Sequence, residues 1–187
     1  TIEKKLLGTT PVSSGIEPEA VSFGPSDYLG RSSDLTGNAL TKQMTLSWWI
    51  YNSGASSGYA FWLNSQYVRA DVGASGTFSF HGLKVGANDV LRAQASAGAV
   101  PINTWSHVLI SFDLTNTSNR HFYVNDVDAS SYMSWNVYSN ENLHMLGSDV
   151  RGPDCDGRHS HIFLDYTYRN LSTTSTRRLF ITAEGKP

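Results

Sequence analysis

Two segments that alternate at a period of two, joined by a short polar turn, constrain this chain more than anything else in it. In Trp105–Asp113, Val108, Ile110 and Phe112 alternate with Ser111 and Asp113. After a stretch rich in Thr, Asn and Ser, Phe122 and Val124 alternate with His121, Tyr123 and Asn125. This pattern predicts a β-hairpin with one apolar face turned to a core.

At 187 residues the chain can bury a substantial core as one all-β domain. Charged residues make up 16% and the formal net charge is −2, so there is no basic field to hold a nucleic-acid backbone. Apolar runs such as Trp48-Trp49-Ile50-Tyr51 are far shorter than the roughly 20 residues a helical membrane span needs, and no membrane insertion is expected. The chain as given opens with no charged segment followed by an apolar signal core, and Cys155 is its single cysteine. Both features lead to the expectation of synthesis in a reducing cytoplasm.

The organisation reads as an arm or linker over residues 1–17, a sandwich over 18–170, and a short helix with a tail over 171–187. Short strands are expected around Val21 and Leu29. A clear one follows at Gln43–Asn52, with Met44, Leu46, Trp48 and Ile50 facing in and Thr45, Ser47, Trp49 and Tyr51 facing out. Aromatic residues on that outer face imply either a covering layer or a binding surface. Further strands are expected at Tyr59–Asn64, Tyr67–Val72, Thr77–Val85 and Asn88–Ala95, divided by glycine-rich turns, and later at Leu143–Leu146 and Ser160–Arg169. Ten to thirteen strands favour two packed antiparallel sheets. Leu171-Ser172 then opens a helix, with Ser172 as its cap and Arg177, Arg178, Leu179 and Phe180 inside it.

Val127–Asn142 reads as the least regular segment. Tyr132, Trp135 and Tyr138 recur every three residues there among Ser and Asn, offering flat apolar rings beside hydrogen-bonding groups, the combination that holds a sugar. With Trp49 and Tyr51 they are the candidate carbohydrate-binding residues; the alternative is that these rings pin a loop onto the sandwich. Asp154 and Asp156 in Gly-Pro-Asp-Cys-Asp-Gly are candidate calcium ligands if Asp149 or Asp165 comes near; the alternative is a plain turn. His159 and His161 fall on one strand face and are weak candidates for a transition metal, the alternative being two structural or exposed imidazoles. Nothing pairs Cys155 with a base and an oxyanion donor.

Trp-x-His-Val at Trp105–Val108, the strand-ending Asp113 and Tyr123-Val-Asn125 resemble the central hairpin of concanavalin A-like, laminin-G-like jelly-roll domains, with Asp126 where that pattern carries glycine. Tyr28-Leu29, with Ser33-Asp-Leu-Thr-Gly37, resembles the opening of such domains in bacteriophage structural proteins. Asn170-Leu-Ser172, Arg177-Arg-x-Phe-Ile181 and Glu184-Gly-Lys-Pro187 resemble their C-terminal signature. The resemblance implies an all-β, two-sheet antiparallel jelly-roll sandwich with a short C-terminal helix. It also implies a virion-surface protein, a capsid decoration or fibre-like component, partnered by other virion proteins and by copies of itself and displaying a lectin-like module to host-surface glycans. A stand-alone carbohydrate-binding module is the alternative. Jelly-roll glucanases present Glu-x-Asp-x-x-Glu from one strand. This chain has five glutamates (Glu3, Glu17, Glu19, Glu141, Glu184) and none is so placed, so no catalytic residues and no cofactor are expected.

Overall fold

The computed structural model describes residues 20–23, 29–31, 40–54, 58–63, 68–83, 89–138, 143–144, 150–152 and 157–187. In chain order the strands are β1 (Val21–Phe23), β2 (Leu29–Arg31), β3 (Leu40–Thr41), β4 (Gln43–Asn52), β5 (Gly58–Leu63), β6 (Val68–Val72), β7 (Phe78–Leu83) and β8 (Asp89–Ala95). They continue with β9 (Trp105–Asp113), β10 (Arg120–Val124), β11 (Val127–Asp128), β12 (Met133–Val137), β13 (Leu143–His144), β14 (Val150–Gly152) and β15 (Gly157–Asp165), before the one-turn helix α1 (Thr174–Arg177). A six-stranded sheet runs β1-β15-β4-β9-β10-β11, a seven-stranded sheet runs β12-β8-β7-β6-β5-β14-β2, and β13 pairs with β3 apart from both. Every pairing among the described residues is antiparallel. The expected all-β two-sheet sandwich is the fold observed. No helix among the described residues is long and apolar enough to cross a membrane.

The two sheets close because each supplies one apolar row set. Met44, Leu46, Trp48, Val108, Ile110, Phe112 and Phe122 from the six-stranded sheet meet Val68, Ala70, Phe78, Phe80, Leu91 and Ala93 from the other, all fully buried. Phe78 lies against Phe122 with ring centres 5.1 Å apart, and Phe80 against Phe112 at 5.2 Å. These ring pairs stitch the layers together, as expected where interdigitated side chains fill the space between stacked sheets. Gly82 on β7 is needed where it stands, since a Cβ there would overlap the buried side chain of Leu143.

The central hairpin is β9 and β10, as expected, and its register sets Val108 opposite Val124 and Phe112 opposite Arg120. Asp113 ends β9 by turning its carboxylate back: Oδ1 accepts from the Thr115 N–H at 2.9 Å and the Thr115 hydroxyl at 2.6 Å, and Oδ2 accepts from Gln43 Nε2 at 2.8 Å. Asn125 and Asp126 form the following turn with φ of 53° and 65°, so Asp126 adopts the left-handed backbone that a glycine would adopt without strain.

Three expectations are corrected. Residues 127–142 are not wholly irregular, because Met133, Trp135 and Val137 alternate inward as strand β12, pairing with β8 from Met133↔Ala95 to Val137↔Leu91; reading the aromatic rings at a spacing of three hides that alternation. The helix is a single turn, and Ser172 does not cap it. Its N–H and hydroxyl donate to Asn170 Oδ1 in a turn of their own, so the helix begins after Thr173, leaving Arg178, Leu179 and Phe180 beyond it. Finally, β15 ends at Asp165 and carries a register shift between Ser160 and Phe163.

Candidate functional site

Each sheet has an outer face, and the two differ. On the six-stranded sheet the outward residues Thr45, Ser47, Trp49, His107, Leu109, Ser111 and Tyr123 are all buried. Much of that burial comes from the chain after β15. The Thr45 hydroxyl donates to the Thr167 carbonyl at 2.8 Å, the Arg169 N–H donates to Ser111 Oγ at 2.9 Å, and Tyr168 stacks on His121. Leu171, fully buried, packs on Leu109 and Tyr123 with Phe180 beside it. Asp126 holds the end of this strap, accepting from Arg177 Nε at 2.6 Å and pairing with an Arg178 terminal nitrogen at 2.7 Å. Burial opposes ionisation of Asp126, but hydrogen bonds and charge from Arg178 and Arg177 outweigh it and hold the carboxyl below its ordinary range. Beneath the strap, His107 Nε2 and Ser47 Oγ share a hydrogen bond of 2.8 Å while Nδ1 has no partner. Burial pushes this imidazole down to about 4, against the charge of Asp126, so it is neutral at pH 7.

The candidates on this sheet are therefore structural. Trp49 faces outward as the alternation predicts, but is only 3% exposed and stacks on its cross-strand neighbour His107 at 4.9 Å. Tyr51 has its ring covered by the Arg158 guanidinium at 4.3 Å and its flank by Trp105, which leaves little ring face for a ligand. His159 and His161 do not share a face. His159 is buried and accepts a 3.0 Å hydrogen bond from Trp48 Nε1, whereas His161 sits at the β15 bulge with φ of 46° and is exposed. The bulge inserts extra backbone between them and breaks the two-residue repeat that placed them together. Asp154, Asp156, Asp149 and Cys155 lie outside the described residues. Asp165 is engaged by the Thr167 hydroxyl and by Arg169, each at 2.6 Å. Among the described residues no group of three or more His, Cys, Asp or Glu is placed to hold a metal ion.

A groove of about 400 Å³ at the bulge, lined by Ile162, Phe163, Leu179 and Phe180 with His161 and Arg169 at its rim, is mainly apolar. The seven-stranded sheet offers different chemistry. On β6, β7, β8 and β12 the described inward residues fill the core, and the described outward residues form two cross-strand rows. One runs Arg69 (β6), His81 (β7), Arg92 (β8), Asn136 (β12); the other runs Asp71, Ser79, Gln94, Ser134 on the same strands. Arg92, Gln94, Ser134 and Asn136 are exposed, and Arg69, Asp71, Ser79 and His81 half-buried. With strands roughly 4.8 Å apart and alternate residues roughly 7 Å apart, the eight side chains cover a patch on the order of 14 by 7 Å. Arg69 Nε stands 3.6 Å from Asp71 Oδ2. Burial pushes the Asp71 carboxyl up, offset in part by the Arg69 charge and by a hydrogen bond from Ser79.

The structure splits the aromatic triple. Trp135 turns inward, half-buried, its ring edge-on to Phe112 at 6.0 Å, and belongs to the core. Tyr132 and Tyr138 flank β12 and are 51% and 58% exposed, so they border the open rows. The rows themselves are absent from the sequence-derived candidates, although Arg69/Asp71, Ser79/His81 and Arg92/Gln94 each alternate with apolar residues in an expected strand.

A sequence profile described as the concanavalin A-like lectin/glucanases superfamily matches residues 24–161. The chain belongs to that superfamily. No curated protein matches this concanavalin A-like domain in sequence. Among solved structures it is similar to a candidate carbohydrate-binding protein from Bacteroides ovatus, at 13% identity and a TM-score of 0.56, over 84% of this chain and 46% of that one. It is also similar to mouse laminin α1 domains LG4-5, at 13% identity and a TM-score of 0.53, over 92% of this chain and 48% of that one. A third structure, of botulinum neurotoxin type C, whose cell entry depends on two ganglioside molecules, gives 11% identity and a TM-score of 0.52 over 88% of this chain and 44% of that one. The concanavalin A-like domain thus spans less than half the length of each of these three chains, and at such identities the likeness is one of fold.

Proposed function

We propose that this chain is a non-catalytic glycan-binding module whose contact surface is the outer face of the seven-stranded sheet. The observation that carries the reading is the pair of cross-strand rows: Arg, His and Asn side chains in one, Asp, Ser and Gln in the other, with an exposed tyrosine at each end of the neighbouring edge strand. Sugar hydroxyls donate and accept together, so a surface that offers both along a fixed spacing suits them, and tyrosine rings supply faces for the C–H side of a sugar. Strands hold these groups in place before a ligand arrives, which lowers the ordering cost of binding. The gangliosides named for the botulinum neurotoxin and the carbohydrate named for the Bacteroides protein fit this reading. A flat patch of this size binds weakly on its own, so repeated copies would supply the strength.

The test is a glycan array probed with the wild-type chain and with an Asn136→Ala/Gln94→Ala double variant. Both residues are exposed, so the fold stays intact. Loss of one hydrogen bond each corresponds to about a tenfold weaker contact per position. Full-strength binding by the double variant would discard this face, and shortening of a polysaccharide by the purified chain would discard the non-catalytic reading.

The wider context is part of the proposal and rests on the C-terminal motif: display on a virion surface after synthesis in a host cytoplasm, with other virion proteins and copies of the chain as neighbours. In this chain Arg177, Arg178 and Phe180 of that motif fasten the strap, so the motif has an internal task wherever the protein resides. Incorporation of the tagged chain into purified phage particles decides the matter; recovery solely as a monomer that ignores them leaves the stand-alone module.

A further inference from the structure

We infer that the ligand of the open face is a linear glycan several units long, lying along β12 with one sugar ring on Tyr132 and another on Tyr138. This deepens the glycan-binding reading and rests on it. Among the described residues the seven-stranded sheet ends at β12. Its ladder to β8 runs one residue past each end of the strand: the Ser96 N–H donates to the Tyr132 carbonyl at 3.2 Å, and the Tyr138 N–H to the Val90 carbonyl at 2.9 Å. The alternation of the strand therefore carries through both tyrosines. It lines up Tyr132, Ser134, Asn136 and Tyr138 on the outer face, all exposed, while Met133, Trp135 and Val137 turn to the core. Among the described residues no hydrogen bond, ion pair or ring contact engages these four outward side chains.

The spacing of the rings sets the length of the ligand. Six residues of extended strand separate Tyr132 from Tyr138 by roughly 20 Å. No single sugar ring reaches across that distance, so the two tyrosines act on one molecule only when it carries several linked rings. Between them Ser134 and Asn136, alternate residues roughly 7 Å apart, hold a hydroxyl and an amide toward the intervening units, with the Gln94 amide opposite Ser134 on β8. A site for a terminal sugar is a recess that surrounds one ring. A line of side chains on the outer face of a sheet has no such walls, and its contacts are spread along the strand. Each contact is small, so affinity accumulates with the number of units laid down. A tyrosine has only two side-chain torsions to fix, which keeps the ordering cost of each contact low.

Length ladders read this out. The array carries cello-, chito-, manno- and malto-oligosaccharides from disaccharide to hexasaccharide, beside branched glycans with distinctive terminal sugars, and the binders are titrated by isothermal calorimetry. The expected result is that the hexasaccharide of one ladder binds at least about tenfold tighter than its disaccharide, the gain arriving once the chain reaches both rings. In Tyr132→Ala and in Tyr138→Ala that ratio should fall severalfold at unchanged melting temperature, because a disaccharide can use the remaining ring and a hexasaccharide loses one of two. A longer chain also gains by offering more registers, but the variants keep that gain, so the fall isolates the second ring. Equal affinity for disaccharide and hexasaccharide, or binding confined to branched terminal sugars, overturns the linear class and leaves the glycan reading standing. A length advantage undiminished in both variants places the chain off β12 and overturns the assignment. Failure to bind any glycan, on the array or in solution, takes down both.

Discussion

The outer faces of the two sheets start from the same kind of sequence and end as opposites. Strand β4 sends Thr45, Ser47 and Trp49 outward, and all three are buried; strand β8 sends Arg92 and Gln94 outward, and both are exposed. The difference is made by residues far away in the chain. Thr167, Arg169 and Leu171 lie over the first face, fastened by Arg177 and Arg178 to the Asn125-Asp126 turn, while the described chain lays no such cover over β8 and β12. Alternation fixes which side of a strand faces the core; it does not say whether the other side meets water.

The comparison breaks most readily at the strap. Leu171→Ala removes a fully buried side chain from between Leu109 and Tyr123 and should cost about 3 kcal/mol, read as a melting temperature lower by roughly 9 °C. Second comes acid. Because the folded chain holds His107 at about 4, below its ordinary value of 6.5, the unfolded chain binds the proton more readily. Stability therefore falls as pH drops from about 6.5 toward about 4, by on the order of 3 kcal/mol from this group. His121 is shifted down by burial as well and adds to the same slope. Denaturant titrations of His107→Gln across that window should show a shallower loss than wild type. Asp113, Asp126, Asp128 and Asp165, all held below their ordinary value, lose their contribution only at still lower pH. Third is Asp126→Ala, which leaves the half-buried Arg177 without its carboxylate and should cost about 1.5 kcal/mol, discounted for solvent access to the pair. Asp126→Asn should retain the left-handed turn and lose less; an equal loss would mean that the charge carries the whole effect and the turn none of it.

Much of the fold could be read from the residues because local pattern and packing agree. Gln43–Asn52 is a strand with the expected bounds, Trp48 is in the core, and the β9–β10 hairpin has the expected apolar face. The candidate site was less legible, for physical reasons. Trp49 and Tyr51 looked like free aromatic rings, but a ring can equally be covered by a neighbour such as His107 or Arg158, and that neighbour is set by cross-strand pairing. The spacing of three in Tyr132, Trp135 and Tyr138 suggested one surface; a strand puts Trp135 inward and leaves the tyrosines at its ends. His159 and His161 were separated by a bulge, a one-residue event that no period reveals. Arg69, His81 and Arg92 come from three strands and are neighbours only through register.

The smallest expected effect on stability is also the sharpest test of the open face. Tyr138→Ala and Asn136→Ala each remove a side chain that is exposed, and substitutions of that kind ordinarily shift stability by less than about 0.5 kcal/mol. Trp135→Ala, next to Asn136 on β12, opens space beside Phe112 and should cost about 3 kcal/mol. Glycan binding should rank the other way: weakened by Tyr138→Ala and Asn136→Ala at unchanged melting temperature, and kept by Trp135→Ala at a temperature where it remains folded. Three neighbouring substitutions thus separate a ring that holds the sandwich together from groups that meet a ligand. Weakened glycan binding by folded Trp135→Ala with Tyr138→Ala unaffected would reverse the assignment and move the site off this face.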